Sequence, residues 1–169
     1  GEEPVPDVSV LFRQHHGGLV RLAVLLVGDQ PTAEDVVQDV FTRLHAKGSR
    51  WRPQGDPLAY IRAGVVNGCR SAQRRRAVAR RFGSSRDLQP VSSTEHSAEH
   101  EAIRSEDRRQ VLAALAALPR RRQEVLVLRY YLGLSEAEIA EVLQITPGTV
   151  KSTAARGLAA LASALREET

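Results

Sequence analysis

Between Ile61 and Phe82 the chain carries seven arginines and no acid: Arg62, Arg70, Arg74, Arg75, Arg76, Arg80 and Arg81. A guanidinium matches phosphate geometry, and so many like charges along one segment repel unless a polyanion lies against them. The chemistry this run offers is therefore phosphate binding. Phosphate contacts position a nucleic acid but do not read its sequence. The more selective groups nearby are Arg62, Asn67 and Arg70, which can hydrogen-bond base edges, and Trp51, whose ring can stack on an unpaired base. Trp51 is the only Trp, and it suits a place in the core of the first domain equally well. An exposed basic face without a specific partner is the plainer alternative.

A second cluster has the opposite sign. Asp29, Glu34, Asp35 and Asp39 fall in a stretch without Lys or Arg. Acids near a helix N-terminus complement its dipole, which accounts for Glu34 and Asp35 but less well for Asp39. Gln38 and Asp39 lie three and four residues after Asp35, opposite Val36, Val37 and Phe41. They form a face suited to a basic partner.

The third group lies in GLSEAEIAEVLQITPGTVKSTAARGLAAL, residues 133–161. Ser135 with Glu138 makes a capping box, and Ile139 with Leu143 marks a buried face. Gln144 stands where the turn wants a positive φ. Thr146 caps a second helix with Pro147 at its first position, and Val150 points to the core. Thr149, Lys151, Ser152, Ala155 and Arg156 fall on the outer side, where a DNA major groove can meet them. Lys151 and Arg156 suit phosphate or guanine, Thr149 and Ser152 suit phosphate or a base edge, and Ala155 suits a thymine methyl. Arg120, Arg121 and Arg122 at a helix start suit the DNA backbone.

Helices must position all three groups. Low aromatic content, abundant Ala, Leu, Val and Arg, and scarce strand-like alternation predict an all-α protein. A first helix is expected over 8–28 and ends at Gly28. A second is capped by Thr32, with Asp35 completing its box, and buries Val36, Val37, Val40, Phe41 and Leu44. After a loop over 48–57, Asp56 caps a third helix with Pro57 at its first position. Residues 83–104 read as a flexible linker rich in Ser, Gly, Pro and charge. A second helical block follows from Ala102, with a further helix opened by Pro119 and closed by Gly133. The expected architecture is two small helical domains, 5–82 and 105–169, the second carrying a helix-turn-helix.

Several classes are disfavoured. No Gly-rich phosphate loop or supported Ser-His-Asp set is present, so neither an enzyme nor a cofactor is expected. His96 and His100 are four apart but lack companion ligands, so no metal site is expected. No apolar run reaches membrane-spanning length, and LVRLAVLLVG reads as a core helix rather than a signal peptide. The single Cys69 excludes an intramolecular disulfide and fits a reducing cytoplasm. It reads as a buried inert thiol, although neighbouring arginines favour its thiolate. The chain has no Met, and Gly1 reads as a processed end.

Three stretches in order, AEDVVQDVF (33–41), DPLAYIRAGVVNGCRSAQRRR (56–76) and LPRRRQEVLVLRYYLGLSEAEIAEVLQITPGTVKSTAARGLAAL (118–161), resemble the sigma factors of bacterial RNA polymerase. The resemblance is to the small two-domain extracytoplasmic-function class. It implies that the first stretch docks core RNA polymerase, the second recognises and melts the minus-ten promoter element, and the third reads the minus-thirty-five element. It implies an anti-sigma protein as regulator, and a monomer outside such complexes. The wording VKSTAARGL departs from the commoner VKSR form of the class, which bears on the minus-thirty-five contacts. The alternative function is a stand-alone helix-turn-helix regulator that binds duplex DNA without opening it.

Overall fold

A computed structural model describes residue 4, residues 6–83 and residues 100–167, with side chains in the second stretch described from residue 105. All regular structure among these residues is helical, and no helix among them is long and apolar enough to cross a membrane. The expected linker lies mostly outside the described residues, as do His96 and the side chain of His100. The chain divides into two compact units.

The first unit is built from α1 (Val8–Val27), α2 (Gln30–Lys47) and α3 (Pro57–Arg81), with a short 3-10 turn at Gly48–Arg50. The α1 helix starts at Asp7, whose carboxylate accepts the Ser9 amide, and stops at Gly28, which takes a left-handed φ of 88°. Its stripe of Leu19, Leu22, Ala23 and Leu26 is buried. Val37 and Phe41 of α2 and Ile61, Val65, Val66 and Cys69 of α3 complete the core. Phe12 meets the Phe41 ring edge-on at 5.0 Å between centroids. The α3 helix begins as its sequence requires, with the Asp56 carboxylate accepting the Leu58 amide and Pro57 in the first turn.

The start of α2 differs from expectation. Asp29, not Thr32, is the cap, and its carboxylate accepts the Thr32 amide at 2.9 Å. Either residue is a good cap by type. The choice follows from α3, because Arg76 donates to both the Asp29 carboxylate and the Thr32 hydroxyl. The two helices approach closely where α3 has glycine. A Cβ added at Gly68 would stand 2.7 Å from Val36 Cγ1, inside any permitted contact.

The second unit contains α4 (His100–Ala117), α5 (Arg120–Leu126), most of α6 (Glu136–Leu143) and α7 (Pro147–Glu167). The α4 helix begins two residues before the expected Ala102. Pro119 precedes α5 as its cap, and α5 runs on into a π-helical turn over Val127–Tyr131. That turn widens the ladder so that Leu132 N–H reaches the Val127 carbonyl, and Gly133 then turns the chain at φ 67°. Val125, Leu128, Ile139 and Val150 are fully buried and form the core with Ala154. Gly157 of α7 sits against Leu126, where a Cβ would meet Leu126 Cδ1 at 3.1 Å.

Candidate nucleic-acid interface

In the first unit, α2 and α3 enclose a groove of about 1550 Å³. Asp35, Asp39, Arg43 and Lys47 line its α2 wall, and Tyr60, Asn67, Ser71, Arg75 and Arg80 line its α3 wall. The α2 wall is of mixed sign, because Arg43 pairs with Asp39 at 2.8 Å one turn away. Asp35 and Asp39 are exposed on this side. Gln38 is also exposed but faces a smaller groove of about 350 Å³ against α1, beside Phe12, Phe41 and His45. The three residues expected to share one docking face thus straddle the ridge of α2.

The arginine run divides into distinct environments. Arg74 and Arg75 are exposed, and Arg74 donates to Ser71 Oγ at 3.2 Å. Arg70 is half-buried and donates to Asn67 Oδ1 at 3.2 Å, which fixes the orientation of that exposed amide. Arg62 is half-buried. Arg76 is placed otherwise than expected. Its guanidinium donates to the Val27 carbonyl, the Asp29 carboxylate and the Thr32 hydroxyl, and its side chain is 19% exposed. Three protein acceptors thus hold its guanidinium, and Arg76 remains part of the groove lining. Partial burial raises the Asp29 carboxyl, but hydrogen bonds from the Thr32 amide and hydroxyl, together with the Arg76 guanidinium, outweigh it and hold the group below its ordinary value.

Trp51 also departs from the stacking role. It is 3% exposed, with its ring 5.7 Å from that of Tyr60. A ring buried on both faces cannot receive a base. Its indole N–H has no hydrogen-bond partner among the described residues. Tyr60 is the aromatic at the surface, 44% exposed, with its hydroxyl accepting from Lys47 Nζ at 3.2 Å. The sequence pattern does not single out Tyr60, because tyrosine is common on helix surfaces. The available signal is its spacing of seven from Asn67, two helical turns along one face.

The helix-turn-helix of the second unit is complete. Ser135 Oγ accepts the Glu138 amide at 3.1 Å, and the Glu138 carboxylate accepts the Ser135 amide at 2.7 Å. Gln144 takes the left-handed φ of 55° that the turn demands. Thr146 Oγ1 accepts the Thr149 amide at 3.1 Å and lies 2.8 Å from the Thr149 hydroxyl. Ser152 donates to the Thr149 carbonyl at 3.2 Å. Val150, Ala154 and Gly157 face inward, while Thr149, Lys151, Ser152, Ala155 and Arg156 are all exposed. They share the outer surface of one helix. Arg120 is exposed at the start of α5, whereas Arg121 lies 4.0 Å from the buried Glu124 carboxylate. No cluster of His, Cys, Asp and Glu suited to a metal ion occurs among the described residues.

Comparison with known proteins agrees with this division. The family model for sigma-70 region 2 matches residues 11–83, and that for sigma-70 region 4 matches residues 108–161. The chain is 33% identical over 155 residues to an ECF RNA polymerase sigma factor, SigM, of Mycobacterium tuberculosis, covering 92% of this chain and 75% of the relative. It is 34% identical over 166 residues to SigL of the same organism, covering 95% and 89%. Among solved structures, CnrH in complex with the cytosolic domain of CnrY has a TM-score of 0.71 at 23% identity, covering 96% of this chain and 89% of that one. RpoE of Bartonella quintana, in complex with the anti-sigma factor NepR, has a TM-score of 0.71 at 24% identity, covering 96% and 98%. At those identities the two structures speak to the fold.

Proposed function

The chain belongs to the extracytoplasmic-function class of the sigma-70 family and is an alternative sigma factor, and we propose how its residues divide the work. Residues 5–82 dock core RNA polymerase and capture the minus-ten element, residues 105–169 read the minus-thirty-five element, and 83–104 join them. The observation that carries this reading is the α2–α3 groove, with acids on one helix and an aromatic, an amide and arginines on the other.

The acids Asp35 and Asp39, with Gln38 across the ridge, meet a basic surface of the polymerase. Charge complementarity there sets orientation and on-rate more than raw affinity. Along α3, Tyr60 offers a face for an unstacked base, and Asn67 offers an amide for a base edge. Arg62, Arg70, Arg74 and Arg75 neutralise phosphates of the separated strand. Bases held this way offset the few kcal/mol lost on unpairing. In the second unit, α7 enters the major groove with Thr149, Lys151, Ser152, Ala155 and Arg156, while Arg120 touches the backbone. Two readers on one chain raise each other's effective concentration at a promoter. The factor acts in the cytoplasm and is held inactive by an anti-sigma protein, as the complex of its structural relative with NepR suggests.

The test is reconstitution with core polymerase on a library of promoter fragments. Promoter-selective transcripts that weaken with Asp35→Ala plus Asp39→Ala support the division of labour. Tight duplex binding without any polymerase-dependent transcript contradicts it and favours a stand-alone regulator.

A further inference from the structure

Arg76 lies in the middle of the basic run but is not arranged like its neighbours. Its guanidinium spans three acceptors on the corner between α1 and α2: the Val27 carbonyl at 2.5 Å, the Asp29 carboxylate and the Thr32 hydroxyl. One turn earlier, Gln73 donates to the Leu26 carbonyl at 2.7 Å. Leu26 and Val27 close α1, where helix carbonyls lack intrahelical partners. Asp29 caps α2, and Thr32 lies in its first turn. Two side chains of α3 thus satisfy the end of one helix and bind the start of the next.

The corner lies one turn before Asp35 and two before Asp39, the acids of the α2 wall. The clasp is also flanked on α3 by Arg74 and Arg75, which remain exposed. A planar guanidinium with fixed donor directions holds such a geometry more closely than a flexible ammonium.

We propose that Arg76 is a positioning residue and not a phosphate contact, fixing the acidic face of α2 against the arginine face of α3 so that polymerase docking and strand capture share one rigid frame. The inference rests on the assignment of those two faces above. It adds that disturbing the Arg76–Asp29 link changes polymerase affinity from a distance, although neither residue touches the polymerase.

The experiment uses the full chain with Arg76→Gln, Asp29→Asn, the double variant and Arg75→Gln, at a temperature where circular dichroism shows each one folded. Two quantities are measured: affinity for core polymerase, and the salt dependence of binding to a single-stranded minus-ten oligonucleotide. Arg75→Gln is expected to reduce the magnitude of the log–log salt slope by about 0.7, the value for one phosphate contact on a single strand. Arg76→Gln is expected to leave that slope unchanged while weakening polymerase binding several-fold. Asp29→Asn should weaken it to a similar degree, and the double variant should be little worse than either single one, since both break one link. A slope loss in Arg76→Gln equal to that in Arg75→Gln overturns the proposal by making Arg76 a phosphate contact. Unchanged polymerase affinity in folded Arg76→Gln and Asp29→Asn also overturns it, leaving a link that only stabilises the fold. A wild-type chain that binds neither ligand instead overturns the functional assignment on which the proposal stands.

Discussion

Gln144 is the one described non-glycine residue with positive φ, at the turn between α6 and α7. Left-handed backbone costs an L-residue with a Cβ roughly 1–2 kcal/mol, part of which glycine returns as unfolded-state entropy. Gln144→Gly is expected to stabilise the second unit by about 0.5–1 kcal/mol, read as a higher unfolding midpoint in denaturant. The position is legible in the sequence because Gln144 stands where helix-turn-helix turns commonly carry glycine, between the helix that Ser135 opens and the one that Thr146 caps. Asp29 carries a second residue-scale prediction. Its carboxyl is held below the ordinary value in the folded chain. The stability it supplies is therefore complete above the ordinary carboxylate range and is lost as pH falls through the lowered folded value. Thermal unfolding of wild type and Asp29→Asn should differ at neutral pH and converge in strong acid. A difference that persists undiminished in strong acid would contradict the assignment. Nothing local in the sequence foretells this pair, because Arg76 and Asp29 are 47 residues apart. An arginine inside a basic run looks like its neighbours until the fold supplies a carboxylate. Trp51 and Tyr60 show the same limit, since residue type says which ring can stack but not which one is left exposed.

Helix boundaries follow capping chemistry where a single good cap is present, as at Asp56, Ser135 and Thr146. They are ambiguous where two compete, as at Asp29 and Thr32, and there a tertiary partner decides. The π turn over Val127–Tyr131 has no capping or proline signal, since VLRYY contains no Gly, Pro or capping residue. Glycines within helices separate by what faces them. Added methyl groups at Gly18 meet nothing within 4 Å, whereas at Gly68 one would strike Val36 at 2.7 Å. Gly18→Ala is expected to stabilise the first unit by up to about 1 kcal/mol through helix propensity. Gly68→Ala is expected to destabilise it by roughly 1–3 kcal/mol, because a β-branched neighbour in a packed seam has little room to give. Chemical denaturation of the two variants checks both signs. Stabilisation by Gly68→Ala would mean that α2 and α3 are less closely seated than described.

At the scale of the whole molecule, a promoter reader of this kind must do two unlike things. The outer face of α7 is built from short polar and cationic side chains on a rigid helix, which suits duplex DNA. The groove of the first unit offers an exposed ring, an oriented amide and arginines, which suits a separated strand. Composition and order in the sequence already announce two helical units and opposite charge clusters. How the acids and arginines line one groove becomes visible only when α2 and α3 pack through Gly64 and Gly68. The most direct test of the account is permanganate reactivity of unpaired thymines at the minus-ten element, with core polymerase and a matched promoter. Wild-type chain should render them reactive only when polymerase is present. Tyr60→Ala and Asn67→Ala should each lower that reactivity at least several-fold while leaving binding of the isolated minus-thirty-five duplex unchanged. Full reactivity in both variants, or duplex binding by wild type with no reactive thymine, would contradict the claim that the α2–α3 groove opens DNA.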